Sequence, residues 1–457
     1  DRRQRQMCIR DRSGTLGQVI KKLLPQGKTT VFKAQLRILP SVAFISAFLN
    51  NTPVVVIFAP IIKHWAKSVN LPATKFLIPL SYVTILGGIC TLIGTSTNLV
   101  VHGMILEAGF EGFSMFELGK VGIFIAIAGI IYIFLFSKRL LPDARPDTAV
   151  PDEEVEEGEK LHRVEAVLGA RFPGINKKLK DFNFQRHYGA EVKEIKTRNG
   201  QRFVSNLEDV VLHEGDTLVV MADDTFIPTW GESSVFVLLT NGNEPDTTGK
   251  KKRWFALLLL VLMIVGATVG ELPVTKEMFP DIKLDMFFFV SITTIIMAWT
   301  NLFPARKYTK YISWDILITI ACAFAISKAM VNSGVADSVA KFIIGLSDDY
   351  GPHVLLAMLF IITNLFTELI TNNAAAALAF PLALSIASQL GVSPTPFFVV
   401  ICMAASASFS TPIGYQTNLI VQGIGNYKFT DFVRIGLPLN IITFLISIIL
   451  IPLIWNF

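Results

Sequence analysis

SAFLNNTPVVVIFAP, residues 46–60, is apolar enough to lie in a membrane except at Asn50, Asn51 and Thr52. Unpaired amides and hydroxyls are costly in hydrocarbon, so this tripeptide must be buried in protein or line a wet cavity. Pro53 follows it as a helix-starting residue would. The arms on either side, about 31–49 and 53–62, are each short for a full crossing, which predicts a re-entrant hairpin with its tip at 50–52. A helix that starts at such a tip points its free N–H groups and positive end into the cavity and attracts an anion. The carbonyl end of the opposing arm, with Asn and Thr oxygens, suits a hard monovalent cation such as sodium.

The same arrangement recurs further along the chain. SAFLNNT (46–52) aligns with TELITNN (367–373) at an offset of 321, and LIGTSTNLVVHG, containing Asn98, aligns with PIGYQTNLIVQG, containing Asn418, at 320. SGTLGQVIKKLL from Ser13 and SGVADSVAKFII from Ser333 are also 320 apart. Three anchors in one order at nearly one spacing indicate an internal duplication. An inverted repeat is the favoured arrangement, because transporters of that build place a midplane site between duplicated, interrupted helices. Gly87, Gly88 and Gly94 permit unwound backbone before Thr97 and Asn98, as Pro412 and Gly414 do before Thr417 and Asn418. Four polar interruptions in register are satisfied together by one site between the halves.

Composition agrees with membrane residence. Of 457 residues 52% are hydrophobic and only 17% charged, with a mean hydropathy of +0.52, far from the balance of a soluble domain. Residues 121–137, 254–270, 286–305 and 435–457 carry no charge and approach or reach a bilayer-crossing length of roughly 20 residues. Leu369–Tyr427 is also free of Asp, Glu, Lys and Arg, and is long enough for at least two segments joined by tight turns. The four cysteines and six histidines are scattered without metal spacing, and no hydrolase constellation is present.

Charge is concentrated elsewhere: 37 of the 77 charged residues fall within 141–253. This stretch reads as a water-exposed insert with Pro-, Glu- and Gly-containing linkers. Lys138 and Arg139 precede it and Lys250–Arg253 close it, so the positive-inside tendency places it in the cytoplasm. AEVKEIKTRNGQRFV alternates apolar and polar residues around Asn199-Gly200, predicting a tight hairpin, and GDTLVVMAD predicts a further strand.

Two resemblances follow from these residues. FLNNTPVV, GGICTLIGTSTNL, TELITNNAA and STPIGYQTNLIV resemble the divalent anion/sodium symporter family over roughly 13–140 and 254–457. Phe182-Asn183-Phe184, Tyr188-Gly189-Ala190 and LEDVVLHEGDTLVVM resemble the TrkA-C (RCK-C) regulatory module over about 163–226, carried by one branch of permeases in that family. The expected fold is therefore mostly α: a polytopic membrane protein with two inverted repeats (13–140 and 254–457), each holding a re-entrant hairpin and an interrupted helix. A small soluble α/β domain lies in the insert (141–253). The family implies an elevator-type, usually homodimeric transporter, here in a bacterial inner membrane, with sodium as coupling ion and no cofactor or nucleic-acid partner. The regulatory module implies a small cytosolic ligand.

The resemblance also implies site residues. The first sodium site would involve Ser46, Asn50, Asn51, Gly87 and Gly88, and the second Thr367, Ile370, Thr371, Asn372 and Ser408. Asn51, Thr52, Asn372 and Asn373 would contact the anion, with Thr97, Asn98, Thr417 and Asn418 from the later loops. The tips here read Asn-Asn-Thr and Thr-Asn-Asn where the family has Ser-Asn-Thr, and the later loops lack its double proline. A compact tetrahedral dianion fits such tips without an arginine, so sulfate is favoured over a dicarboxylate; a transporter-derived sensor and a proton-coupled carrier are the other readings. Glu368, beside Thr367, could tune the second cation site. Before Ser333 the second half has about 80 further residues, whereas only DRRQRQMCIRDR precedes Ser13. The expectation is that native N-terminal spans are missing and that residues 1–12 are foreign sequence, not a signal peptide.

Overall fold

The computed structural model describes residues 23–143 (without 26 and 28), 162–240 (without 170, 198–200, 224–225 and 231–234) and 250–457 (without 271–272, 279–283, 285, 301, 303–313 and 346–350). Residues 1–12, the repeat anchor beginning at Ser13 and most of both linkers of the insert lie outside the described residues.

Helix α1 (Val31–Ser46) opens on Thr30, whose hydroxyl accepts from the Lys33 N–H at 3.4 Å. The chain turns at 47–50, and α2 (Asn51–Ser68) begins after an extended Asn50. Pro53 falls in the first turn of α2, where a missing N–H leaves no helical bond unmade. The helix passes its expected end near 62 and reaches Ser68, because Trp65 and Ala66 continue its buried face while Lys63, His64 and Lys67 take the other side. α3 (Leu77–Gly88) is buried on every side and packs against α1 and α2, as a helix apolar all round must. A loop over 89–95 leads to α4 (Ser96–Glu107), and α5 (Gly119–Leu140) follows.

Between the halves the described residues form an antiparallel sheet of order β3-β2-β4-β1-β5. Its elements are β1 (His162–Leu168), the short helix α6 (Phe184–Tyr188), β2 (Glu191–Lys196), β3 (Arg202–Phe203), β4 (Thr217–Ala222), α7 (Phe226–Trp230) and β5 (Phe236–Thr240). β2 and β3 pair through Ile195–Phe203 and Lys196–Arg202, on either side of the Asn199-Gly200 turn signal. Phe172, Phe182, Phe184, Tyr188 and Phe236 pack with Leu168, Leu218 and Val220 into a core separate from that of the helices. Gly189 ends α6 at φ 70°, a left-handed position that glycine adopts without strain.

The second half runs α8 (Lys250–Gly270), α9 (Pro273–Met278), α10 (Met286–Trp299), α11 (Trp314–Asn332), α12 (Val335–Gly345), α13 (Gly351–Leu369), α14 (Asn372–Leu390), α15 (Thr395–Ser406), α16 (Gln416–Gly425) and α17 (Phe429–Ile454). Only Ile370 and Thr371 separate α13 from α14. α15 is buried from Pro396 to Ser406, as α3 is, and is likewise followed by a loop and a short helix. The halves interlock: α5 packs on α17, α2 on α16, and α4 on α14. Among the described residues α5, α13, α14 and α17 are long and apolar enough to cross a membrane. Outward-facing Leu135 on α5 and Leu453 on α17 are 62% and 74% exposed, an arrangement suited to lipid and unsuited to water. The molecule is thus mostly helical, with the four polar interruptions lying where helices of the two halves meet.

Candidate functional site

Each interruption lies at a helix start. Asn50 precedes α2, Thr95 precedes α4, Thr371 precedes α14 and Tyr415 precedes α16. Thr371 accepts from the Ala374 N–H at 3.4 Å, whereas Asn50, Thr95 and Tyr415 make no side-chain cap bond. Three helices therefore present first-turn N–H groups that no capping side chain occupies.

Side-chain hydrogen bonds bring these four starts together, and they cross between the halves. Thr52 donates to Gln416 Oε1 at 3.2 Å, and Ser96 donates to Asn373 Oδ1 at 3.1 Å. Under the sequence register Thr52 corresponds to Asn373 and Ser96 to Gln416, so the two bonds are counterparts. Each hairpin tip thus bonds the other half's interrupted helix. Asn51 Nδ2 donates to the Tyr415 hydroxyl at 2.6 Å, Asn372 Nδ2 donates to Thr97 Oγ1 at 2.8 Å, and Thr97 also donates to Asn373 at 3.3 Å. A 2.9 Å bond between Thr95 and the Tyr415 hydroxyl adds a further link between the halves. Asn51, Thr95, Thr97 and Tyr415 are buried. The groups that meet are neutral amides, hydroxyls and one phenol, set against the positive ends of four helix dipoles.

Behind each tip lies a set of oxygens. In the first half Ser46 donates to Asn51 Oδ1 at 2.7 Å, and Thr91 donates to the Ala47 carbonyl. Gly88 lies so close that a Cβ there would stand 2.5 Å from Asn51 Oδ1 and 3.0 Å from the Gly94 carbonyl. In the second half Thr367 donates to the Ala405 carbonyl at 2.7 Å, Ser408 to the Thr367 carbonyl at 3.3 Å and Thr411 to the Glu368 carbonyl at 3.0 Å. A Cβ on Gly414 would collide with Ser408 Oγ and the Thr367 carbonyl. The loops repeat further bonds in register: Asn98 to the Thr91 carbonyl (2.9 Å) and Asn418 to the Thr411 carbonyl (3.1 Å), then Gly94 N–H to Thr91 (3.1 Å) and Gly414 N–H to Thr411 (3.3 Å). Oxygen-lined pockets of this kind suit hard cations. Among the described residues no three His, Cys, Asp or Glu side chains cluster as a transition-metal site would need.

The structure brings Asn51, Thr52, Thr97, Asn372 and Asn373 to one cluster, with Ser46 and Gly88 directly behind Asn51. Gly87 lies against the backbone of Ala43. Thr367 and Ser408 meet behind the second tip. Ile370 and Thr371 form the exposed turn of that tip, and Asn50 is the half-buried residue before α2. Asn98 and Asn418 turn back onto their own loops, and Thr417 and Asn418 accept from Ser81 at 2.8 and 2.7 Å. Glu368 accepts from the Ser410 N–H (2.9 Å), Asn440 Nδ2 (2.7 Å) and Ser408 (3.5 Å), fastening the loop to α17.

Sequence reasoning passed over Tyr415, Gln416, Ser96 and Thr95 as site residues, although Tyr415 aligns with Thr95 at the same offset of 320. Ser81, a hydroxyl within an otherwise apolar helix, was a second available signal.

The profile of the citrate transporter family matches residues 9–387 and 283–456. An uncharacterized transporter of Synechocystis is 30% identical over 90% of this chain and 81% of its own length. A putative sulfur deprivation response regulator of Chlamydomonas reinhardtii is 28% identical over 95% of this chain and 89% of its own. A probable sodium/sulfate cotransporter of the same alga is 33% identical over 61% of this chain and 31% of its own.

Proposed function

The chain belongs to the citrate transporter family, and on that premise we propose that it is a secondary transporter coupling sodium entry to uptake of a divalent anion, with sulfate as the favoured cargo. That the chain is an integral membrane transporter follows from the family and the apolar helices. The finer reading is supported above all by one observation: each hairpin tip bonds the other half's interrupted helix, so four helix N-termini face one space.

In this reading the anion takes the place of the Asn51–Tyr415 and Asn372–Thr97 bonds. Amide and hydroxyl donors and first-turn N–H groups then face its oxygens. Sodium sits behind each tip, at Ser46, Asn50, Asn51, Gly87 and Gly88 and at Thr367, Ile370, Thr371, Asn372 and Ser408. Because Asn51 and Asn372 belong to both sets, filling a cation site orients the amide that meets the anion, and the two ligands favour each other. Thr417, Asn98 and Asn418 shape the loops. Residues 13–140 and 254–457 form two inverted repeats working by an elevator motion in a homodimer, and the insert is a cytoplasmic TrkA-C-like regulator of a bacterial inner-membrane carrier.

Dicarboxylate symport is the alternative cargo, favoured by the family's description. A sensor that keeps the transporter fold is favoured by the alga's putative response regulator, which the chain matches nearly end to end. Labelled sulfate and labelled citrate uptake into proteoliposomes, with and without an inward sodium gradient, separates the readings. Sodium-dependent sulfate uptake supports the proposal. Citrate uptake alone makes the cargo a carboxylate, uptake indifferent to sodium removes the coupling, and no uptake of either favours the sensor.

A further inference from the structure

The sheet of the insert touches the helices at a particular place. Lys63, on α2, donates to both oxygens of Glu165 on β1 at 3.3 Å, and Lys196 on β2 donates to the same carboxylate at 3.3 Å. Gly215, just before β4, lies against Leu419 of α16. Gly423 of α16 lies against Thr217 of β4, with the Gly215 carbonyl and then the Val167 side chain of β1 next nearest. Both close approaches require glycine: a Cβ on Gly423 would stand 2.6 Å from the Thr217 hydroxyl, and Gly215 has φ +84°.

The two helices contacted are two of the four that meet at the anion cluster. Thr52 and Gln416 at their N-termini bond each other, while Lys63, Leu419 and Gly423 further along carry the sheet. Gln416 to Gly423 spans about 10 Å and Thr52 to Lys63 about 16 Å, at about 1.5 Å per helical residue. Helices this short are stiff, so displacement at one end is delivered to the other.

Building on the transport and regulatory reading above, we propose that the β1–β4 face of the insert is a coupling surface that holds α2 and α16 in register, so that moving the sheet resets the anion cluster. The sheet is the element on which a cytosolic ligand or a partner would act. It shifts the cluster to the extent that it binds the docked and displaced positions unequally. The Glu165 ion pairs give the surface its grip. Burial alone would push this carboxyl up, but Lys63 and Lys196 bring it down to about 2.

Lys63→Glu breaks the contact with α2 while Glu165 keeps Lys196 as a partner inside the sheet. Leu419→Ala loosens the contact with α16 by a separate route. Asp209→Ala is the control, since Asp209 pairs with Lys178 and Lys180 within the insert. Hydrogen–deuterium exchange of the full chain in detergent, without added anion, is compared with labelled sulfate uptake by proteoliposomes of the same variants. Lys63→Glu and Leu419→Ala are each expected to raise exchange at 415–425 by about fivefold or more and to change uptake in the same order, as a coupling free energy of ordinary size requires. Asp209→Ala should match the unmodified chain in both. Unchanged exchange at 415–425 in Lys63→Glu and Leu419→Ala overturns the coupling whatever the cargo is. Failure of the unmodified chain to take up sulfate would instead count against the transport reading, and the exchange comparison would still decide the coupling.

Discussion

Tyr415 stands where the four helix starts meet, its hydroxyl accepting from Asn51 and bonded to Thr95. When the anion takes the place of the Asn51–Tyr415 bond, the Tyr415 hydroxyl is free to donate to it, and a hydrogen bond to a charged group is worth about 1.5–3 kcal/mol. Tyr415→Phe keeps the ring and removes the oxygen. Sulfate KM in proteoliposomes should rise about tenfold, the equivalent of about 1.4 kcal/mol, while the variant folds and inserts as the unmodified chain does. An unchanged KM would mean that the phenol only fills space. The polar interruptions themselves were legible residue by residue, because an amide within apolar sequence has to be answered by something. Which residue answers it was not legible: nothing in the spacing of Asn51 tells it to reach Tyr415, 364 residues away.

Among the elements, the helix starts after Asn50, Thr95, Thr371 and Tyr415 were legible, because Asn, Thr, Pro and Gly break the apolar sequence there. The limits of α2 were not, since Lys63, His64 and Lys67 break the apolar run although Ile62, Trp65 and Ala66 carry its buried face to the end. Neither was the crossing of tip and loop between halves, which depends on how the helices pack and leaves no trace in local pattern. The resulting geometry makes a specific demand at the close approaches. Gly414→Ala would drive a methyl group into the Ser408 hydroxyl and the Thr367 backbone carbonyl. The expected outcome is a raised sodium concentration for half-maximal sulfate uptake, with Gly391→Ala, at a helix end open to solvent, sparing the sodium dependence. A sodium titration of both variants checks this.

At the scale of the whole molecule, the insert and the helices meet through Glu165. Its folded value of about 2 lies below the ordinary 4.5. The stability it contributes is therefore complete above pH 4.5 and is lost as pH falls toward 2. Thermal unfolding of the unmodified chain and Glu165→Gln in detergent should differ most above pH 4.5, and the gap should close on acidification; a gap independent of pH would remove the charge from the account. The central claim is that tips from both halves build one anion site. Equilibrium binding of labelled sulfate to the purified chain in sodium, for the unmodified protein and for Asn51→Ala and Asn372→Ala, tests it most directly. One sulfate per chain, and loss of that binding in either variant, are the expected results. Binding that survives intact in one variant, or falls by half in each, would contradict a shared site.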